Sequence, residues 1–186
     1  MEREHLEHII RAAGEITNEY EFMIVGSQSI LGSFPNPEPI FRMSAEADIY
    51  PLQAPHLADN IEGAIGEGSQ FQDTYGYYAQ GVGPETATLP EGWQGRLSRI
   101  QTHGTNGRVG FCLDVVDLFL SKAIAGREKD RVFCMALLQY GYVKPARALE
   151  LATLMPVEAP EQRRLLATIR RWLKALRDAG VNVPDA

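Results

Sequence analysis

Near the start of the chain apolar residues recur at helical spacing: Leu6, Ile9, Ile10, Ala13 and Ile16 make one stripe of a helix predicted over 2–18. Phe22-Met23-Ile24-Val25 follows as a continuous apolar run with charge before it and Gly26 after it, the pattern of a strand buried on both faces. Ser27 to Gly32 predicts a short helix with Ser27 as its N-cap, and the proline-rich Phe34-Pro35-Asn36-Pro37-Glu38-Pro39 ends it, leaving 34–44 as a loop. Ala47-Asp48-Ile49-Tyr50 predicts a second strand, closed by Pro51. His56 to Gly66, with Leu57, Ile61 and Ile65 spaced by four, predicts another helix.

From Gly66 to Gly110 the chain is rich in glycine and tyrosine, which predicts short strands and turns. Thr86 to Pro90, Arg96 to Gln101 and Arg108 to Leu113 are the strand candidates, for a sheet of roughly four to six strands. After Leu113 the pattern turns helical. Asp114 is a candidate N-cap for Val115 to Ala125, Gly126 marks a break before Glu128 to Tyr140, and Pro145 and Pro160 open two further helices. The fold class is therefore α+β (mixed α/β): a mixed twisted sheet flanked by helices over 1–114, with a helical C-terminal region over 115–186 packed on it. There is no internal repeat.

Hydrophobic residues at 45% and charged residues at 23% are ordinary for a folded soluble protein. The formal charge of -6 gives no general footprint for gripping nucleic acid or an anionic membrane. Lys and Arg are nevertheless sparse before Arg96 and crowded from Lys122 to Lys174, so an anionic ligand would be drawn to the C-terminal part. Cys112 and Cys134 lack metal-ligand spacing and read as buried free thiols rather than a zinc site. No apolar run approaches transmembrane length and the charged N-terminus is no signal segment, so a cytoplasmic location is expected.

Two features carry chemistry. A Gly26-Ser27-Gln28 turn leading into a helix offers backbone N–H groups to phosphate. Glu46 and Asp48 alternate with Ala45 and Ala47, so both acids project from one strand face and can share one divalent cation or bridge two. Phosphoryl transfer depends on such positioned ions, because charge on the phosphate oxygens must be neutralised while two oxygens align. The plain alternative is a pair of solvated acids on an edge strand.

The order helix, apolar strand, Gly-Ser, short helix and acid-x-acid strand resembles the nucleotidyltransferase superfamily related to DNA polymerase beta. Gly26-Ser27-Gln28-Ser29-Ile30-Leu31-Gly32, Asp117-Leu118-Phe119-Leu120-Ser121-Lys122 and Ala125-Gly126-Arg127-Glu128-Lys129-Asp130 look like a bacterial branch near the abortive-infection (AbiEii-type) nucleotidyltransferase toxins. The similarity runs over about 1–142. It implies a nucleoside triphosphate held by Gly26, Ser27 and Arg127, and Mg2+ or Mn2+ on Glu46 and Asp48. Asp48, Lys122 and Asp130 then carry the transfer of a nucleotidyl group to an acceptor hydroxyl, with Lys122 on a phosphate and Asp130 orienting it or acting as base. It further implies RNA, transfer RNA included, as a candidate acceptor and an antitoxin-like protein as a candidate partner.

Two departures stand against that pattern. Glu46 occupies a position where Asp is commoner, and the Gly26-to-Glu46 separation is longer than in minimal members, with the proline-rich loop as the insertion. A catalytically silent binding or regulatory module is therefore the alternative, in which Lys122, Arg127 and Asp130 belong to an exposed helix laced with ion pairs. Asp114 is either a third carboxylate or a cap, and Asp117 also suits a helix dipole. Tyr75-Gly76-Tyr77-Tyr78 and Trp93 are either stacking platforms for a base or sugar, or core residues. His103 has no visible nucleophile partner.

Overall fold

The structure, a computed structural model, describes residues 1–183. The chain divides into two compact units: Met1–Ala87 with Arg96–Asp114, and Thr88–Gly95 with the helical stretch from Val115 onward.

The first unit is built on a five-stranded mixed sheet. Its elements are α1 (Arg3–Thr17), β1 (Glu21–Val25), α2 (Ile30–Ser33), β2 (Glu46–Pro51), α3 (Ala58–Ile65), α4 (Gln70–Tyr75), β3 (Tyr78–Gly81), β4 (Ser98–Ile100) and β5 (Val109–Cys112). The strand order is β3-β2-β1-β5-β4, with β1–β2 and β4–β5 antiparallel and β1–β5 and β2–β3 parallel. The apolar run at β1 is central, and Phe22, Met23 and Ile24 are all fully buried, as a two-sided strand requires. The predicted stripe of α1 is its buried face through Leu6, Ile9, Ile10 and Ala13, while Ile16 is half-buried. A capping box between Glu2 and His5 starts this helix.

Several expectations are corrected. Gly26, not Ser27, caps the turn after β1, and that turn begins as 3-10 helix over Ser27–Ser29 before α2. The loop 34–44 contains a 3-10 turn, Pro39–Arg42, with Phe41 buried. It is tied down: Gln28 Nε2 donates to the Phe41 carbonyl (3.2 Å), Arg42 pairs with Glu2 (2.6 Å), and the Met1 amino group donates to the Ser44 carbonyl (2.9 Å). Thr86 to Pro90 is not a strand; a 3-10 turn at Pro84–Thr86 leads into a link that has no sheet partner and enters the second unit at Thr88. The Thr86 N–H closes that turn on the Gly83 carbonyl (3.1 Å), and Pro90 has no N–H to give a ladder. The Arg96 to Gln101 strand shrinks to β4 because Trp93–Arg96 is 3-10 turn.

The 66–110 region also holds a helix where strands and turns were expected. Ser69 Oγ accepts from the Gln72 N–H (3.2 Å) to cap α4, and Gly76 in the left-handed conformation ends it. Next comes β3, which pairs with β2.

The second unit contains α5 (Val115–Ala125), α6 (Glu128–Gln139), α7 (Pro145–Ala152) and α8 (Ala159–Asp178). Pro145 opens α7 and Pro160 lies in the first turn of α8, where the missing N–H is harmless. Helix α5 packs against α6, α7 and α8. The Thr88–Gly95 segment joins this unit, with the Glu91 N–H on the Leu154 carbonyl (2.9 Å). Cys112 and Cys134 are buried free thiols whose ionisation burial pushes upward, Cys112 to about 12. Among the described residues no helix is long and apolar enough to cross a membrane.

Candidate functional site

Antiparallel pairing of β1 with β2 sets the geometry of the first unit. Val25 lies opposite Asp48, so the end of β1 meets the start of β2 and the Gly26-Ser27 turn runs beside the acid-x-acid pair. Gly26 has φ +64° and ψ -168°, a region that only glycine occupies at low cost. A Cβ at Gly26 would overlap Asp48 Oδ2 and lie 2.8 Å from the carboxyl carbon. Backbone and carboxylate thus meet at a distance that a side chain would forbid. Ser29 Oγ donates to the Gly26 carbonyl (2.9 Å) and tightens the turn.

Glu46 and Asp48 lie on one face of β2, both half-buried, with Ala47 fully buried on the other. In the parallel β2–β3 pair Glu46 faces Tyr78, whose hydroxyl donates to Glu46 Oε2 (3.1 Å). Burial, and then the negative charge of Glu46, push the Tyr78 phenol up to about 12, so it stays a donor at physiological pH. Sequence reasoning missed this partner; only the register of β3 on β2 brings it to Glu46. Asp114 directly follows β5, and because β5 runs parallel to β1 it leaves the sheet at the same end as Gly26.

Two carboxylates beside a glycine turn suit a hard cation that arrives with its own phosphate oxygens. Magnesium is usually held by one or two protein carboxylates, with waters and substrate phosphates completing its shell. Among the described residues no three His, Cys, Asp or Glu side chains are grouped to hold a metal alone. These two carboxylates would therefore need further ligands from outside the protein to hold such a cation.

Lys122, Arg127 and Asp130 come together in the second unit. Gly126, in the left-handed conformation, ends α5 with its N–H on the Lys122 carbonyl (3.1 Å), and Arg127 is the N-cap of α6. Lys122 Nζ donates to Asp130 Oδ1 (3.2 Å) and sits over the Phe133 ring at 4.8 Å. Arg127 donates to both Asp130 oxygens (2.6 and 3.3 Å). The Asp130 side chain is 1% exposed and that of Lys122 10%, whereas Arg127 is 60% exposed. Burial pushes Asp130 upward, but the two cations outweigh it and hold the carboxyl below its ordinary range. Such a carboxylate is a weak proton acceptor. Asp117, in the first turn of α5, is fully buried.

The aromatic candidates are engaged with protein. Tyr77 stacks on His5 (4.3 Å between centroids, 14° between planes) and its hydroxyl bonds His8 Nδ1 (2.8 Å), while Phe71 and Tyr75 pack around His8. Tyr78 is committed to Glu46. Trp93 is half-buried in its 3-10 turn, and His103 sits in a turn-rich loop.

A mixed sheet that brings a Gly-Ser turn against an acid-x-acid strand is the arrangement expected of a nucleotidyltransferase core. The sequence pattern of the family described as nucleotidyltransferase of unknown function (DUF6036) matches residues 4–137, and the chain belongs to that family. The matched stretch contains Gly26, Ser27, Glu46, Asp48, Lys122, Arg127 and Asp130. Neither a curated protein nor a solved structure matches the chain.

Gly26→Ala is expected to lower stability by about 1–3 kcal/mol through backbone strain, read as an earlier urea midpoint; an unchanged midpoint would contradict the strained conformation of this turn. Asp130→Asn is expected to cost about 3 kcal/mol at neutral pH, the lower end for unpairing a buried charge because Arg127 remains solvated. Since Asp130 is depressed in the folded state, its contribution is complete above the unfolded carboxylate value of about 4 and fades as pH falls through the lower folded value. The gap between variant and parent in urea unfolding should therefore narrow below that pH, and a gap constant with pH would contradict the assignment.

Proposed function

We propose that the first unit binds a nucleoside triphosphate with Mg2+, Mn2+ substituting, and that the protein transfers its nucleotidyl group to an acceptor hydroxyl. The observation that supports this reading is the close approach of Gly26 to Asp48, a turn suited to phosphate beside an acid suited to a metal. The Gly26-Ser27 backbone would cradle phosphate, and Glu46 and Asp48 would hold the cation, which neutralises charge on the phosphate oxygens when bound. The acceptor oxygen would form a bond to the α-phosphorus as the bond to the β-phosphate oxygen breaks, releasing pyrophosphate and the hydroxyl proton. In the second unit Lys122 and Arg127 are two cations held on one carboxylate, that of Asp130. Asp130, a poor base, would position both cations.

A specific observation favours the second reading, a silent binding or regulatory module: Lys122 is already neutralised by Asp130 in a buried ion pair. The finer reading of the resemblance is a toxin acting on RNA, transfer RNA among the acceptors, with an antitoxin-like partner. Its support is the uneven charge. The first unit carries six Lys and Arg against fifteen Asp and Glu, net -9, and the second carries twelve against nine, net +3. On α8, Arg163, Arg164, Arg170, Arg171, Lys174 and Arg177 are all exposed opposite the buried Leu165, Ile169, Trp172, Leu173 and Leu176.

Calorimetry with each of the four common triphosphates is expected to show Mg2+-dependent binding of at least one, abolished in an Asp48→Ala variant of unchanged circular dichroism. Absence of binding by all four would contradict the proposal. Binding with no pyrophosphate release in the presence of bulk RNA would overturn the RNA acceptor and favour the silent module.

A further inference from the structure

Glu46 is the residue at which this chain departs from the commoner acid-x-acid pattern, and the structure gives the longer arm a partner. An added methylene moves a carboxylate outward and gives it another rotatable bond, so an unrestrained Glu presents its oxygens to a cation less reproducibly than Asp. At Glu46 that freedom is restricted across the sheet. The parallel β2–β3 register sets Tyr78 directly opposite Glu46, and the phenol donates to Oε2 at 3.1 Å. One carboxylate oxygen is thereby held, and Oε1 is left for another ligand. Both residues are half-buried, so the bond forms in surroundings that screen it less than open water does. Tyr78 is itself fixed, since its N–H donates to the Ala45 carbonyl (2.9 Å) at the entrance of β2.

We propose that Tyr78 is a positioning residue for the metal-ligating Glu46, and that Glu46 and Tyr78 act as one unit in place of the shorter Asp. The inference rests on the metal–nucleotide reading above and adds a residue to it. Second-shell hydrogen bonds of this kind orient a ligand and raise metal affinity, typically by 10–100-fold. Two consequences separate the unit from a phenol that merely packs in the sheet. Removing the hydroxyl while keeping the ring weakens the cation and not the fold. Shortening Glu46 to Asp, toward the commoner pattern, weakens the cation as well, because the carboxylate retreats from Tyr78.

The test is Mn2+ titration of the full chain by electron paramagnetic resonance, in the presence of a triphosphate analogue that cannot be cleaved, for parent, Asp48→Ala, Tyr78→Phe, Glu46→Asp and the Tyr78→Phe/Glu46→Asp double variant. Thermal unfolding of each variant is recorded alongside. Tyr78→Phe is expected to weaken Mn2+ by about tenfold with a melting temperature close to the parent's. Glu46→Asp should weaken it comparably, and the double variant should be little worse than either single one, the mark of a shared interaction. If Asp48→Ala removes Mn2+ binding and Tyr78→Phe leaves it unchanged, the positioning role is overturned and the metal site stands. If losses in the two single variants simply add, the unit is likewise overturned. If the parent binds no Mn2+, or Asp48→Ala binds as the parent does, the metal reading itself fails.

Discussion

The first unit depends on a close approach between a backbone and a carboxylate. Val25 faces Asp48 in the β1–β2 register, and the next residue has no side chain, so the turn after β1 can pass against the acid. Any Cβ there meets Asp48, and the backbone conformation is one that other residues adopt only at a cost of about 1–3 kcal/mol. The surrounding structure holds the turn in place. Phe22, Met23 and Ile24 anchor β1 at the centre of the sheet, Ser29 closes on the Gly26 carbonyl, and Gln28 clamps the loop that leads to β2.

The second unit solves a different problem. Lys122 and Asp130 are buried charges, and such groups persist only when paired and hydrogen-bonded. The tight Gly126-Arg127 connection between α5 and α6 brings them within 3.2 Å and lets Arg127 close the carboxylate from the solvent side. The same arrangement that makes Asp130 a poor base makes it a good brace. It holds a lysine and an exposed guanidinium on a unit whose net charge is opposite to that of the first.

Much of this was legible in the chain because the signals are local. The stripe of α1, the apolar run of β1, the alternation at Glu46-Ala47-Asp48 and the prolines opening the last two helices each follow from spacing alone. Strand Tyr78–Gly81 was not legible, since Tyr78-Ala79-Gln80-Gly81 has no apolar alternation to display and its identity comes from pairing with β2. Helix α4 had usable signals in Ser69 and Gly76, masked by the glycine content around them. Thr86 to Pro90 had strand propensity and no neighbouring strand. The Tyr78–Glu46 bond depends on a register between distant segments, which no local pattern encodes.

In the reading proposed above, the Gly26-Ser27 turn and the Glu46–Asp48 strand form one metal–nucleotide site. Nuclear magnetic resonance of the isotopically labelled full chain tests it directly, because bound Mn2+ broadens nearby amide signals. On addition of substoichiometric Mn2+ with a non-cleavable triphosphate, the amides of Gly26, Ser27, Ala47 and Asp48 should broaden first and together, and should recover when excess Mg2+ displaces the probe. Broadening centred elsewhere, with these amides unaffected, would contradict the account.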